Sequence, residues 1–306
     1  MPVRRLLPSS VNQGTLYALN TLQFYYVNGL YSSLILNHLP TNAQKTLELG
    51  EYMQITILGS GTSIPHPERA SPGFTVQFDH TTILVDPSSG SLHRAEKFGI
   101  SVKEIDYVLF THFHPDHTGD LGPLLFALKN NEYFDSKTIT LIGPTGLQDL
   151  HNKLLNLYGD WIQLEKEFLV IHEIGEEQLQ FSDWALTSLS VPHTHNSIGL
   201  RFSDSHNNTF AYSGDSDYCQ ELIELTLNAD AALIEAAQPS ELKVTGHLTP
   251  KLAGQIALQA KVNQLIITHL YPVCDNYNLL AEIRSSGYQG QAIIAHDGMK
   301  IILGKD

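Results

Sequence analysis

Four side chains able to bind a metal fall within six positions in the stretch Thr111-His112-Phe113-His114-Pro115-Asp116-His117-Thr118-Gly119. Histidine nitrogens and carboxylate oxygens are the donors that suit zinc and neighbouring divalent ions. The apolar run Tyr107-Val108-Leu109-Phe110 stands directly before them, and Gly119-Asp120 followed by Leu121 to Leu128 stands after. The first reads as a buried strand and the second as a helix start. The donors therefore sit on a strand-to-helix connection, where a fixed strand end lets several side chains converge on one point. A polar loop that is rich in histidine by accident explains one such residue far better than four at this spacing.

Three further segments share this placement. Pro192-His193-Thr194-His195, Tyr212-Ser213-Gly214-Asp215-Ser216 and Thr268-His269 each follow a strand candidate, and each brings a metal-competent side chain to its end. Taken singly, each reads as structural; taken with the 111–119 stretch, they read as loops aimed at one cleft. His66, His80, His93, His151, His172, His206 and His296 have no converging partner in the sequence.

The elements that must carry these loops alternate. Strands are expected at Gln54–Gly59, at Phe74–Phe78 and Thr82–Asp86 as a hairpin about Asp79-His80, at Tyr107–Phe110 and at Ile139–Pro144. Helices are expected at Ser91–Phe98, Leu121–Leu128 and Leu147–Tyr158. The second half is richer in strands: Phe168–Ile171, Leu179–Trp184, Ala185–Val191, Ile198–Phe202, Thr209–Tyr212, Ala231–Glu235 and Gln264–His269. Helices follow at Tyr218–Leu227, at Pro250–Ala260, where Pro250 suits a first turn, and near Tyr277–Ser285. A last hairpin is expected between Ala292–Ile294 and Ile301–Ile302, turning at Asp297-Gly298. The pattern favours one layered α/β domain with two sheets and outer helices.

Composition narrows the class. The chain has 306 residues, 42% of them hydrophobic, enough for a sizeable core. Two cysteines, Cys219 and Cys274, make neither a disulfide framework nor a cysteine-type zinc site, so a reducing, cytoplasmic compartment is expected. With Lys+Arg 18 against Asp+Glu 32, the net charge of -14 argues against broad nucleic-acid binding. Residues 1–52 differ from the rest: no Lys, Arg, Asp or Glu lies between Arg5 and Lys45. They are read as an N-terminal extension to a domain at 53–306, with Met53 opening the first orderly strand. The run Leu16 to Leu39 is too broken by amides to span a membrane. Nor does a cleavable leader pattern follow Arg4-Arg5.

The series His112-x-His114-x-Asp116-His117, then His193, Asp215 and His269, resembles the ligand series of the metallo-β-lactamase superfamily. Within it the chain most resembles the ribonuclease Z and phosphodiesterase branch, through Leu58-Gly59-Ser60-Gly61-Thr62, Leu84-Val85-Asp86, Gly143-Pro144, Gly214-Asp215-Ser216 and Gly246-His247-Leu248-Thr249. The resemblance runs from about Met53 to the C-terminus. It implies a four-layer αββα sandwich, two mixed β-sheets flanked by helices. One metal would be held by His112, His114 and His193, the other by Asp116, His117 and His269, with Asp215 bridging. His193 is preferred to His195 because the family glycine six positions beyond this ligand is matched by Gly199.

The resemblance implies a dinuclear hydrolase, with two divalent ions, zinc favoured over manganese or iron. Such ions share a water, lower its pKa and clamp a phosphoryl oxygen. Asp116 would orient the metal-bridging hydroxide, and His247, oriented by Glu235, would protonate the leaving oxygen. The resemblance also strains. Only 22 positions separate His193 from Asp215, leaving no room for the long arm with which ribonuclease Z grips tRNA. Pro115 stands where the family has Gly, and His247-Leu248-Thr249 where it has His-Ser-Thr. The expectation is a phosphodiesterase for a small-molecule or nucleotide-like substrate, with tRNA 3′-end processing, and hence RNA, as a less supported alternative, and lactone or aryl sulfate hydrolysis as another. A diiron redox enzyme would carry Glu at the position of His114, and a non-catalytic relative would have lost ligands. No membrane partner is expected; the family's dimers allow a homodimer, for which no interface is marked.

Overall fold

The computed structural model describes residues 52–129 and 137–304. The expectations for residues 1–51 lie outside the described residues, and Tyr52 already belongs to the first strand.

Alternation within the strands generates the layers, because residues i and i+2 of a strand share a face. In β1 (Tyr52–Gly59), Met53, Ile55 and Ile57 enter one core while Leu58 enters another. The same switch occurs in β10 (Thr209–Tyr212), where Phe210 and Tyr212 face one way and Ala211 the other. In β11 (Ala231–Glu235) and β12 (Gln264–Thr268), Leu233 and Ile266 join the first set while Ile234, Leu265 and Ile267 join the second. Such strands are apolar on both faces, which is why they read as unbroken hydrophobic runs.

Two seven-stranded sheets result. The first adds β2 (Gly73–Gln77), β3 (Thr82–Val85), β4 (Ile105–Leu109), β5 (Ile139–Pro144), β6 (Leu169–Ile174) and, beside β1, β14 (Lys300–Gly304). Its order is β14-β1-β2-β3-β4-β5-β6, antiparallel up to β3 and parallel beyond. The second adds β7 (Glu177–Gln180), β8 (Trp184–Ser190), β9 (Ile198–Asp204) and β13 (Gln291–Ile294), in the order β13-β12-β11-β10-β9-β8-β7. The inner faces meet in a core that includes Phe74, Val76, Trp184, Phe202 and Phe210. Helices α1 (Ser91–Lys97), α3 (Leu121–Leu128) and α4 (Leu147–Tyr158) cover the first sheet, with Leu121, Leu124 and Leu147 packed beside Leu84 and Val108. Helices α5 (Gln220–Leu225), α6 (Pro250–Gln259) and α7 (Leu279–Ser285) cover the second through Leu222, Ala253, Ile256 and Ile283. This is the expected αββα sandwich. No helix among the described residues is long and apolar enough to cross a membrane.

Three local expectations are corrected. The C-terminal strands do not form a hairpin: β13 pairs in parallel with β12, whereas β14 pairs with β1 in the other sheet. Asp297-Gly298 does turn, with Gly298 at φ 83, but Asp297 aims inward and accepts hydrogen bonds from Ser60 N, Ser60 Oγ and Ala70 N. Turn chemistry is local and does not choose the partners of the flanking strands. The stretch Leu179–Trp184 is broken rather than one strand, because Asp183 accepts from His80 N and Thr81 Oγ1 and holds a turn between β7 and β8. Finally, Pro115–Thr118 forms a single helical turn, α2, inside the 111–119 loop.

Candidate metal centre

The chain segments that leave β4, β8, β10 and β12 meet. A backbone bond from Ile198 N to Thr111 O, 3.0 Å, ties the end of β4 in one sheet to the start of β9 in the other. His112, His114, His193 and Asp215 each bring a donor atom to within 4.8 Å of one another, and so do Asp116, His117 and His269.

In the first group His114 Nδ1 lies 3.1 Å from His112 Nε2 and 3.1 Å from His193 Nε2. Two nitrogens bound at about 2.0–2.1 Å to one tetrahedral zinc stand about 3.3 Å apart, so this spacing suits a shared ion. The far nitrogens fix the tautomers. Thr111 Oγ1 donates to Asp86 Oδ2 at 2.8 Å and therefore accepts from His112 Nδ1 at 3.0 Å. His193 Nδ1 donates to Gly246 O at 2.8 Å. Both Nε2 lone pairs are thereby left to face inward.

Asp215 stands between the groups. Its Oδ1 lies 3.4 Å from His117 Nε2, and its Oδ2 lies 3.3, 3.7 and 3.8 Å from the Nε2 atoms of His269, His193 and His112. His117 Nδ1 donates to Asp86 Oδ2 at 2.9 Å. Asp116 Oδ2 faces His269 Nε2 at 3.7 Å.

These residues fit a divalent cation by a direct test. His117 Nε2, both ring nitrogens of His269 and Asp215 Oδ1 are buried without a hydrogen-bond partner. Buried polar atoms are rarely left so, and a cation among them would satisfy all but the outward His269 nitrogen. Charge points the same way. Burial works against an imidazolium at His117, but Asp215 and Asp86 outweigh it and raise its pKa well above the ordinary value. The carboxylates thus favour a positive charge here, carried by a proton on His117 or by a cation in that proton's place. Burial also works against the Asp215 carboxylate, yet His269 and His117 hold it well below the carboxylate range. At His112, burial and then His117 push the pKa down, keeping the ring neutral as a ligand must be.

The backbone contributes strain. Asp86 and His269, neither of them glycine, adopt left-handed conformations at φ 47 and 58. Each costs on the order of 1 kcal/mol, held in place by surrounding structure. Both aim a side chain into the cluster from a strand end.

Beside the cluster, Glu235 ends β11 and is buried. His247 Nδ1 donates to its Oε1 at 3.1 Å, and Oε1 also accepts from Ser216 N at 2.6 Å. The His247 ring stacks on His269, 13° from parallel with centroids 5.6 Å apart. Burial pushes the Glu235 carboxyl up against the opposing hydrogen bond from His247. At His247, burial lowers the pKa, but the Glu235 hydrogen bond and charge, with Asp215 and Asp116 behind them, raise it overall.

All seven expected donors are thus gathered, with His247 and Glu235 adjoining. His195 is exposed and belongs to neither group. Thr249 caps α6 and Thr62 Oγ1 accepts from Ile64 N, so both act as cap or turn residues. His66 corrects its expected isolation: Nε2 meets Asp275 Oδ2 at 2.9 Å, where Arg69 also pairs at 2.7 Å. Two residues of the site have no assigned function in the sequence, although Asp86 closes the Leu84-Val85-Asp86 segment of the resemblance. Asp86 organises Thr111 and His117, and Tyr212 donates to Asp86 Oδ2 at 3.1 Å. A carboxylate at the end of an otherwise apolar strand was the available signal for Asp86.

The interval from His193 to Asp215 holds β9, β10 and a short turn, with no arm. Comparisons agree with the architecture. A family model described as Beta-lactamase superfamily domain matches residues 81–270. A protein named Ribonuclease Z from Mycolicibacterium gilvum is 27% identical over 76% of this chain and 91% of its own. The probable metallo-hydrolase YhfI of Bacillus subtilis is 27% identical over 80% of this chain and 98% of its own. The crystal structure of YhfI superposes with a TM-score of 0.72, at 26% identity over 82% of this chain and 99% of that one. A diphosphatase from the PhnP family has a TM-score of 0.62, at 22% identity over 81% and 97% of the two chains. Fold, donor cluster and the matching family model together make this chain a member of the metallo-β-lactamase superfamily, a hydrolase whose fold implies divalent metal.

Proposed function

We propose that the chain is a dinuclear, zinc-favouring phosphodiesterase acting on a small or nucleotide-like substrate. His112, His114 and His193 would hold one ion, Asp116, His117 and His269 the other, and Asp215 would bridge. Bound divalent ions supply Lewis acidity and a water of lowered pKa.

The chain's own residues do the rest. Asp116 is partly open to solvent while its neighbour His117 is closed off, which supports a role for Asp116 in orienting an attacking water and taking its proton. His247 keeps Nδ1 on Glu235, which leaves its Nε2 proton for the leaving oxygen. Glu235 is anchored in turn by Ser216 N, so the donor ring is held from behind.

The observation that carries this reading is the His247–Glu235 pair at 3.1 Å, stacked on His269. A proton donor is needed when an alkoxide leaves, as in a phosphodiester, and far less when the leaving group is already activated. The ribonuclease Z relative supports a phosphodiester substrate, whereas the short His193–Asp215 interval and the charge of -14 weigh against tRNA. The test is a parallel assay on a cyclic nucleotide, an aryl phosphodiester, a precursor tRNA, a lactone and an aryl sulfate. Metal-dependent turnover of the cyclic nucleotide and aryl diester is expected to exceed the others. Preference for the lactone or sulfate would overturn the reading, and preference for precursor tRNA would replace its substrate.

A further inference from the structure

The loop after Asp215 continues into Asp217, a residue that belongs to neither donor group. Its backbone N–H donates to Pro192 O at 2.9 Å, directly before His193. Its Oδ2 accepts from Gly246 N at 2.9 Å, directly before His247, and from Lys243 Nζ at 2.9 Å. Its Oδ1 accepts from Tyr218 N at 2.8 Å. One half-buried aspartate therefore binds three loops together: those that carry His193, Asp215 and His247.

The Gly246 residue is the point of leverage. Its N–H is held by Asp217, and its carbonyl takes the Nδ1 proton of His193 at 2.8 Å. That second bond decides which His193 nitrogen faces the cluster. The same backbone leads straight into His247, whose ring stands 4.8 Å from that of His193. We propose that Asp217 is a positioning residue that sets the His193 tautomer and the placement of His247 together, through Gly246. Lys243 neutralises Asp217 on its open side and helps keep it on the Gly246 N–H.

This inference rests on the reading of His193 as a ligand and His247 as a donor, but it is separable from it. Outer partners that orient a metal-binding histidine are worth about 10- to 100-fold in metal affinity. Asp217 acts one bond further out, so about tenfold is expected.

The experiment compares the parent chain with Asp217→Ala and with Asp217→Asn, which keeps the shape and one acceptor. Histidine ring nitrogens are observed by long-range nitrogen–proton NMR in metal-free protein, and zinc affinity by competition with a chelator. In the parent, His193 is expected as a single tautomer protonated at Nδ1. In Asp217→Ala it should lose that single form, zinc binding should weaken about tenfold, and a poor leaving group should suffer more than an activated aryl one. Asp217→Asn should fall between, and it carries the test if Asp217→Ala does not fold. Unchanged ring signals and unchanged zinc affinity in either folded variant would overturn the proposal. Failure of the underlying reading has a different signature: His193→Ala in an otherwise parental chain would keep its full zinc content.

Discussion

Asp86 accepts the Nδ1 proton of His117 at 2.9 Å, and neither side chain is exposed to solvent. The same carboxylate takes Thr111 N, Thr111 Oγ1 and Tyr212 OH, so four donors converge on one buried group at a left-handed backbone position. Asp86→Ala would leave these donors buried without acceptors. Each such group costs about 1–3 kcal/mol, and partial relaxation makes a total loss of about 3 kcal/mol a fair expectation. Denaturant unfolding of metal-free protein measures it. Zinc affinity should also drop by about 10- to 100-fold, since His117 and, through Thr111, His112 lose their orientation. A variant of normal affinity would show that the ligands hold themselves.

Asp215 faces both donor groups, and its Oδ1 has no hydrogen-bond partner. Metal analysis of the parent should approach about two ions per chain, and Asp215→Ala should lose both. Chelation should lower the melting temperature of the parent, because free ion at about 100 times its dissociation constant adds about 2.7 kcal/mol to stability. In Asp215→Ala the chelator should have almost no effect. One retained ion with full activity would remove the bridging role.

Much of this donor cluster is legible in the sequence, and the reasons are physical. His112, His114, Asp116 and His117 are close in sequence, and His193, Asp215 and His269 each end a recognisable strand. Converging strand ends are a property of topology that motif order reflects. What stayed hidden depends on pairing across long separations. The Asp297 contacts to Ser60 and Ala70, the Asp183 contacts to His80 and Thr81, and the His66–Asp275 pair all join distant loops. None leaves a periodic trace. The Asp297-Gly298 turn misled for the same reason, since its signal specifies a bend and not which sheet each flanking strand enters.

Gly214 shows how little freedom the Asp215 loop has. Its φ is 58, and an added Cβ would lie 2.9 Å from Thr111 Cβ and 3.0 Å from Ile198 O. Gly214→Ala must therefore push on the residue that fixes His112 while straining the backbone beside Asp215. A loss of about 2 kcal/mol in stability is expected, with weakened metal binding. Wild-type melting temperature and zinc content in this variant would contradict that account.

Asp297 makes a prediction about the crossing between sheets. Removing its carboxylate in Asp297→Ala strands Ser60 N and Ala70 N, which flank the turn leaving β1. About 2 kcal/mol of stability should be lost. Hydrogen exchange should quicken at Ser60 and Ala70 before it quickens in the inter-sheet core. Uniform acceleration across both sheets would instead mean that the contact is part of global stability.

The His247–Glu235 pair carries the pH prediction. After burial, which opposes it, the Glu235 hydrogen bond and charge raise the His247 pKa above the ordinary histidine value. The protonated ring is the form that donates, so activity on a poor leaving group should hold through neutral pH and fall as pH rises through that raised pKa. Replacing the carboxylate in Glu235→Gln removes the main source of the rise, so the alkaline fall should move to lower pH. In His247→Ala the fall should vanish along with about 10²–10⁴-fold of the rate on an alkyl diester, while an aryl diester loses much less. Rates on the two substrates across the pH range decide the matter. Equal losses on both, or an unmoved alkaline limb in Glu235→Gln, would assign the proton donor to another group.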